Sequence, residues 1–226
     1  MPRRHLRLLA LLAALVIALL TSCGQAGQNS PPLPGGATLL ADSAKAMRTV
    51  TTTRVNIDVQ GDLPDLPIKS AEGQVTKDGS AKGTASVDFG AQPYEVTFVI
   101  IGQDLYLRGP TGGFNKMSKS SAFLVYDPTA ILDPNRGAAK VLASGAGAET
   151  EGREQVDGVD AYRVRASFSG QSLGKLVPGF TQDKTAEVWI ASNGFRLVRA
   201  QFPTKNGSIT FRFSDYDAPA DISPPS

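Results

Sequence analysis

Of the side chains able to do chemistry, the sequence holds one cysteine, Cys23, one histidine, His5, and 21 carboxylates. Asp127 and Asp133 are close enough along the chain to be read as a carboxylate pair, the set a glycosidase needs. Each precedes a proline, however, and Asp-Pro is the pattern of a helix N-cap followed by proline at the first helical position. Glu149, Glu151 and Glu154 cluster with Arg153 and read as a solvated strand edge. Arg163 and Arg165 alternate with Tyr162, Val164 and Ala166, which places the arginines on an outer surface rather than in an anion site. Trp189 is in register with Glu187, so it belongs to an outer face, either packed there or touching a partner or a membrane.

The positions of His5 and Cys23 decide how much of this chemistry the finished protein keeps. Arg3, Arg4 and Arg7 precede an apolar run, Leu8–Leu20, and then Thr21-Ser22-Cys23. A basic start, a short apolar core and small residues before a cut describe a secretory signal. The run is shorter than the roughly 20 residues a membrane span needs. Leu20-Thr21-Ser22-Cys23 is similar to a bacterial lipobox, whose cysteine takes a diacylglycerol and becomes the first residue. That resemblance implies a lipoprotein on the outer face of a cytoplasmic membrane, anchored stably because it carries more than one acyl chain. Removing Met1–Ser22 would leave no histidine and no free thiol, which excludes His-dependent triads, Cys nucleophiles and ordinary zinc sites. It would also leave 20 Lys and Arg against 21 Asp and Glu, a net charge near −1, with no one-sign patch for nucleic acid. No cofactor is expected.

Gly24–Ala37 lacks periodicity and is rich in Gly, Pro, Ser and Gln, so Cys23–Ala37 reads as an acylated start followed by a tether. Thr38–Ser226 reads as one domain. Thr38–Met47 has a helical apolar face of Leu39, Leu40, Ala44 and Met47. Period-two alternation then takes over in segments around Val55, Ala71–Thr76, Gly83–Phe89, Tyr94–Ile101, Leu105–Arg108, Tyr162–Phe168, Ala186–Ile190, Leu197–Val198 and Ile209–Phe213, separated by turns such as Lys77-Asp78-Gly79 and Lys205-Asn206-Gly207. A helix is expected over Pro134–Ser144 and another over Gln171–Val177, with the Pro-rich Asp217–Ser226 lying loosely on the surface. No strand-helix-strand alternation occurs, so the class is α+β with an antiparallel sheet of nine or ten strands. The short helices are the only available cover for its apolar face. They either complete a filled core or leave a wide apolar space; sequence alone leaves both open.

Several phrases stand in an order that resembles the mycobacterial LppX/LprA/LprF/LprG lipoprotein family. They are the lipobox, Ile100-Ile101-Gly102-Gln103-Asp104-Leu105-Tyr106, Val125-Tyr126-Asp127-Pro128, and Leu132-Asp133-Pro134-Asn135-Arg136-Gly137. Glu151-Gly152-Arg153-Glu154, Val156-Asp157-Gly158-Val159, Pro178, Val188-Trp189-Ile190 and Leu197-Val198-Arg199-Ala200 follow. Phe114 departs from the family, which carries tryptophan there; a phenylalanine keeps packing but not an indole N–H contact. The resemblance implies a large antiparallel half-barrel with short helices on its concave face around an apolar cavity, similar in shape to the LolA and LolB carriers. It implies a non-enzymatic protein that binds multiply acylated lipids, including glycolipids and triacylglycerol, and helps move them through an actinobacterial envelope. In some members it implies a major-facilitator permease as partner.

With that comparison, the candidate wall of the cavity is the in-phase set Val55, Ile57, Val59, Gly83, Ala85, Val87, Phe89, Val96, Phe98 and Ile100. Leu40, Met47, Val141, Leu142, Leu173 and Leu176 from the helices would complete it. Gly83 and Ala85 are the most telling, because small residues on an apolar strand face leave space, although they could instead allow a bulge or close packing.

Overall fold

Alternating side chains put half of each strand on one face, and hairpin turns between strands force antiparallel pairing. The computed structural model describes residues 32–61, 67–88, 92–122, 126–177 and 179–225. The described elements lie within Leu33–Ser226. They are α1 (Gly36–Thr49), β1 (Thr52–Gln60), β2 (Ile68–Thr76), β3 (Ala81–Val87), β4 (Tyr94–Ile101), β5 (Asp104–Arg108) and β6 (Asn115–Ser118). A short α2 (Lys119–Ala122), a 3-10 helix (Pro128–Leu132) and α3 (Ala138–Leu142) follow. The remainder is β7 (Ala146–Val156), β8 (Val159–Phe168), α4 (Gly170–Leu176), β9 (Lys184–Ala191), β10 (Leu197–Thr204) and β11 (Gly207–Ser214).

The strands form one antiparallel half-barrel in the order β6-β5-β4-β3-β2-β1-β11-β10-β9-β8-β7. It is two meanders joined where β1 pairs with β11, Ile57 opposite Phe211. Consecutive strands β6 and β7 therefore sit at opposite edges. The chain between them must cross the whole sheet, and it carries α2, the 3-10 helix and α3 across the concave face. The helices cover that face as a consequence of topology.

Among the described residues the sheet has eleven strands rather than nine or ten. β6 is exposed along its whole length, so no alternation marks it. α1 begins at Gly36, two residues inside the expected tether. Thr150 Oγ1 donates to Pro34 O at 2.6 Å, and a Cβ on Gly36 would lie 2.7 Å from the Ala148 backbone, so this segment packs directly on β7. The helix expected over Pro134–Ser144 is only α3. Gly137 is extended and is packed under the carbonyls of Ala130 and Asp133, which interrupts the turn begun at Pro134. Asp133 does not open a helix; its Oδ1 accepts from Asn135 N at 2.8 Å within a turn. Asp127 behaves as expected, capping the 3-10 helix through Thr129 N at 3.1 Å.

The segment after β11 is pinned, not loose. Asp217 Oδ1 accepts from Thr51 N and Thr51 Oγ1 at 2.8 and 2.9 Å, and Arg196 pairs with Asp217 at 2.8 Å. Further on, Thr52 donates to Ala218 O, Gln74 to Pro219 O and Lys82 to Asp221 O. Those three donors lie on β1, β2 and β3, so the segment straps the outer face of three strands.

Candidate functional site: an apolar cavity under one half of the sheet

The concave face is covered unevenly. Over β7–β11 it is filled. Phe202 stacks edge-on against Phe168, Phe180 and Phe211 with centroids 6.0, 6.0 and 6.2 Å away, and α1 packs on β7, β8 and β9. Over β1–β5 the 3-10 segment packs against β2, and a cavity of about 190 Å³ remains. Its sheet wall is Val55 and Ile57 of β1, Ile68, Ala71, Gly73 and Val75 of β2, Ala85 and Val87 of β3, Tyr94, Val96, Phe98 and Ile100 of β4, and Leu105 and Leu107 of β5. Met117, Tyr126, Pro128 and Ile131 close the other side. Tyr94 and Met117 are 40 % and 37 % exposed, so they mark the mouth.

Seven expected wall residues are brought together: Val55, Ile57, Ala85, Val87, Val96, Phe98 and Ile100. Val59 shares their face but is buried opposite Ile209, past the end of the cavity. Gly83 does not line it. A Cβ there would run into Glu72 O and stand 2.7 Å from Gly73 Cα, so Gly83 lets β3 approach β2 closely. Leu40, Met47, Val141, Leu142, Leu173 and Leu176 belong to the core without touching the cavity. Of their helices, α1 packs on α3, and α3 on α4. Phe89 and Cys23 lie outside the described residues.

Part of the wall is absent from the set expected on sequence. Ala71, Gly73, Val75, Leu105 and Leu107 are in phase and pair with neighbours on the same face: Ala71 with Ala85, Leu105 with Ile100, Leu107 with Phe98. Their strand register is the usable signal. Met117, Tyr126, Pro128 and Ile131 carry none, because only the path of the crossing chain brings them there.

Wall electrostatics are nearly neutral. Glu72 lends the wall its backbone, while its carboxylate pairs with Arg54 at 3.0 Å on the outer face. Tyr126 is 8 % exposed, and burial, with the Asp127 carboxylate adding to it, pushes its phenol well above the usual range. Behind Tyr126 lies a satisfied polar cluster. Asp127 accepts from Thr129 Oγ1 at 2.6 Å and pairs with Arg136 at 3.0 Å and Lys119 at 3.7 Å, while Lys119 donates to Thr129 Oγ1 at 2.7 Å. Arg136 also holds Asp133 at 2.9 Å. The two aspartates thus clamp one guanidinium and brace the 3-10 segment.

The outer-face residues are engaged structurally. Arg163 reaches Glu151 at 3.2 Å and Glu154 at 3.6 Å, and Arg165 reaches Glu151 at 3.8 Å, on edge strand β7. Trp189 is buried in a small outer cluster with Val156, Ala161, Ala191 and Val198. Phe114 carries the Arg108 guanidinium 4.9 Å above its ring. Among the described residues no group of three or more His, Cys, Asp or Glu could hold a metal, and no helix is long and apolar enough to cross a membrane.

This architecture has known counterparts. Residues 35–222 match the family model described as LppX_LprAFG lipoprotein. The chain is 32 % identical over 231 residues to the lipoarabinomannan carrier protein LprG of Mycolicibacterium smegmatis, covering 99 % of this chain and 98 % of that one. It is 30 % identical over 234 residues to the protein of the same name in Mycobacterium leprae, covering 99 % and 98 %. The crystal structure of LprF from Mycobacterium bovis superposes with a TM-score of 0.78 at 24 % identity, covering 86 % of this chain and 99 % of that one. LppX from Mycobacterium tuberculosis gives 0.63 at 23 %, covering 82 % and 98 %. The two structures establish the fold, and the matched family model together with the full-length relatives establishes the grouping: this chain belongs to the LppX_LprAFG lipoprotein family.

Proposed function

We propose that this protein is a membrane-anchored lipid carrier that takes the acyl chains of multiply acylated lipids or glycolipids into the cavity under β1–β5. The observation that carries the reading is the cavity itself, an almost wholly apolar wall open at Tyr94 and Met117 in a sheet whose other half is filled. A 16-carbon chain entering water costs on the order of 10 kcal/mol, at about 0.8 kcal/mol per methylene. A dry container removes that cost while a lipid crosses an aqueous space, and it needs no acid, base or nucleophile. The relatives called lipoarabinomannan carrier proteins support a glycolipid cargo. Acylation at Cys23 would hold the carrier on the extracytoplasmic face of the membrane, and a major-facilitator permease is the partner that fits this transfer.

A carboxylate-dependent glycosidase is disfavoured because Asp127 and Asp133 are both committed to Arg136 and to backbone N–H groups. The test is native mass spectrometry of the full chain after mild extraction, with analysis of what comes with it. Co-purifying acylated lipid is expected. A chain that emerges free of lipid and takes up none when offered acylated lipids would overturn the carrier reading.

A further inference from the structure

A second concavity lies on the face of the sheet opposite the cavity. Strand register places Arg165 of β8 opposite Glu187 of β9, and Glu187 opposite Gln201 of β10. Each stands between two residues of the core beneath: Val164 and Ala166, Ala186 and Val188, Ala200 and Phe202. The three polar side chains therefore point outward together. With Thr185 and Pro203 they line an open groove of about 310 Å³.

The neighbouring row on the same three strands is Arg163, Trp189 and Arg199, and the fold satisfies it. Arg163 pairs with Glu151 and Glu154, the Trp189 indole donates to Glu154, and Arg199 pairs with Asp157. The groove row is different. Glu187 and Gln201 are half-buried, yet their side chains have no hydrogen bond or ion pair among the described residues. Arg165 reaches Glu151 only at 3.8 Å. The other half-buried carboxylates of the described strands are either sealed, as Asp58 Oδ1 is, or paired, Asp104 with Lys116 and Asp160 with Arg153. Glu187 thus offers a free carboxylate at the floor of an accessible groove.

A carboxylate, a primary amide and a guanidinium in one row accept and donate with planar groups. An anion would meet Glu187, and a cation would meet Arg165. A neutral polyol meets both, because each hydroxyl donates and accepts. The Pro203 ring adds an apolar surface for sugar C–H groups. From β8 to β10 the row spans two strand spacings, about 10 Å, which is longer than one sugar ring. We propose that this groove binds a neutral oligosaccharide, with Glu187 and Gln201 as its principal contacts. The groove lies over the filled half of the sheet and on its outer face, so the glycan is a chain separate from any lipid in the cavity. The inference stands independently of the carrier reading.

The experiment offers the full chain in mild detergent mannotetraose, cellotetraose and maltotetraose, and follows binding by ligand-observed NMR titration. At least one tetrasaccharide is expected to bind, and more tightly than its monosaccharide. Glu187→Ala should weaken it about tenfold and Gln201→Ala about fivefold, as for lost hydrogen bonds to a charged and a neutral group. Arg163→Ala, in the satisfied row, should leave the affinity unchanged. In the wild type the backbone amide signals of Glu187 and Gln201 should shift on titration, a reading that needs no variant. Binding of none of the three, or equal binding by wild type and both groove variants, would overturn the proposal. Affinity should be the same before and after bound lipid is stripped. A rise on stripping would give the groove to the lipid's own headgroup and overturn the separate site.

Discussion

The Trp189 indole N–H donates to Glu154 Oε1 at 2.7 Å, reaching across β8 from β9 to edge strand β7. The ring lies in the cluster that includes Ala161, which has no exposure, and the Arg199 guanidinium stands 5.3 Å from its centroid on the outer face. This contact ties the charged edge of the sheet to its interior strands. It explains why an outer-face tryptophan is only 5 % exposed. Trp189→Phe should cost about 1–2 kcal/mol, the bond to a charged acceptor discounted for partial exposure. Urea unfolding measures it. Lipid content should not change. Because Trp189 is the sole tryptophan and lies on the face opposite the cavity, its emission should also be indifferent to lipid loading.

The two halves of the concave face predict opposite outcomes for the same kind of substitution. Ala85 lines the cavity, whereas Ala166 is buried in the filled half opposite Ala186. Ala85→Trp should expel bound lipid and leave the melting temperature nearly unchanged. Ala166→Trp should overpack the core and cost about 1–3 kcal/mol. Thermal unfolding and lipid analysis of both variants check this. A severe loss of stability in Ala85→Trp would mean that the space under β3 is not available to a ring.

Gly83 tests the close approach of two strands. A methyl group there would meet the β2 backbone at Glu72 and Gly73, neither of which can give way like a flexible side chain. Gly83→Ala should therefore destabilise by about 1–3 kcal/mol. An alanine tolerated without loss would show that β2 and β3 can separate at this point.

Acid should weaken the β7–β8 hairpin first through Asp160. The Arg153 guanidinium, then the Ser192 hydroxyl, hold its carboxyl at about 2, below the roughly 3.9 of a free aspartate. A folded value below the unfolded one means that the ionised form stabilises the fold. That contribution is complete above about pH 5 and disappears as pH falls from about 4 towards 2. Asp160→Asn should remove this part of the acid dependence. Urea midpoints between about pH 2 and pH 6 for both proteins measure it, and parallel curves would refute the assignment.

Cys23→Ala should leave the protein unlipidated and released from the membrane with its fold intact, since the thiol precedes every element of the domain. Fractionation with labelled fatty acid reads both effects. Continued incorporation of label by the variant would exclude Cys23 as the acylation site.

Local order and the limits on chemistry are legible in the chain alone. Alternation in Val55-Asn56-Ile57 or Tyr162-Arg163-Val164 fixes which side chains share a face, because a strand repeats every two residues whatever surrounds it. A single cysteine and a single histidine bound the catalytic possibilities without reference to any fold. What lies against each face is a matter of three dimensions. Positions on the two halves of the sheet look alike along the chain: Ile57 and Val188 are both apolar, both in phase and both buried, yet Ile57 faces a cavity and Val188 a filled core. The difference arises from the crossing chain between β6 and β7, whose α3 packs on α1 above the filled half while Tyr126, Pro128 and Ile131 stand against the cavity. Periodicity is a local property and reports the face. Cover is set by contacts between residues far apart in the chain, so the cavity emerges only when the chain is folded.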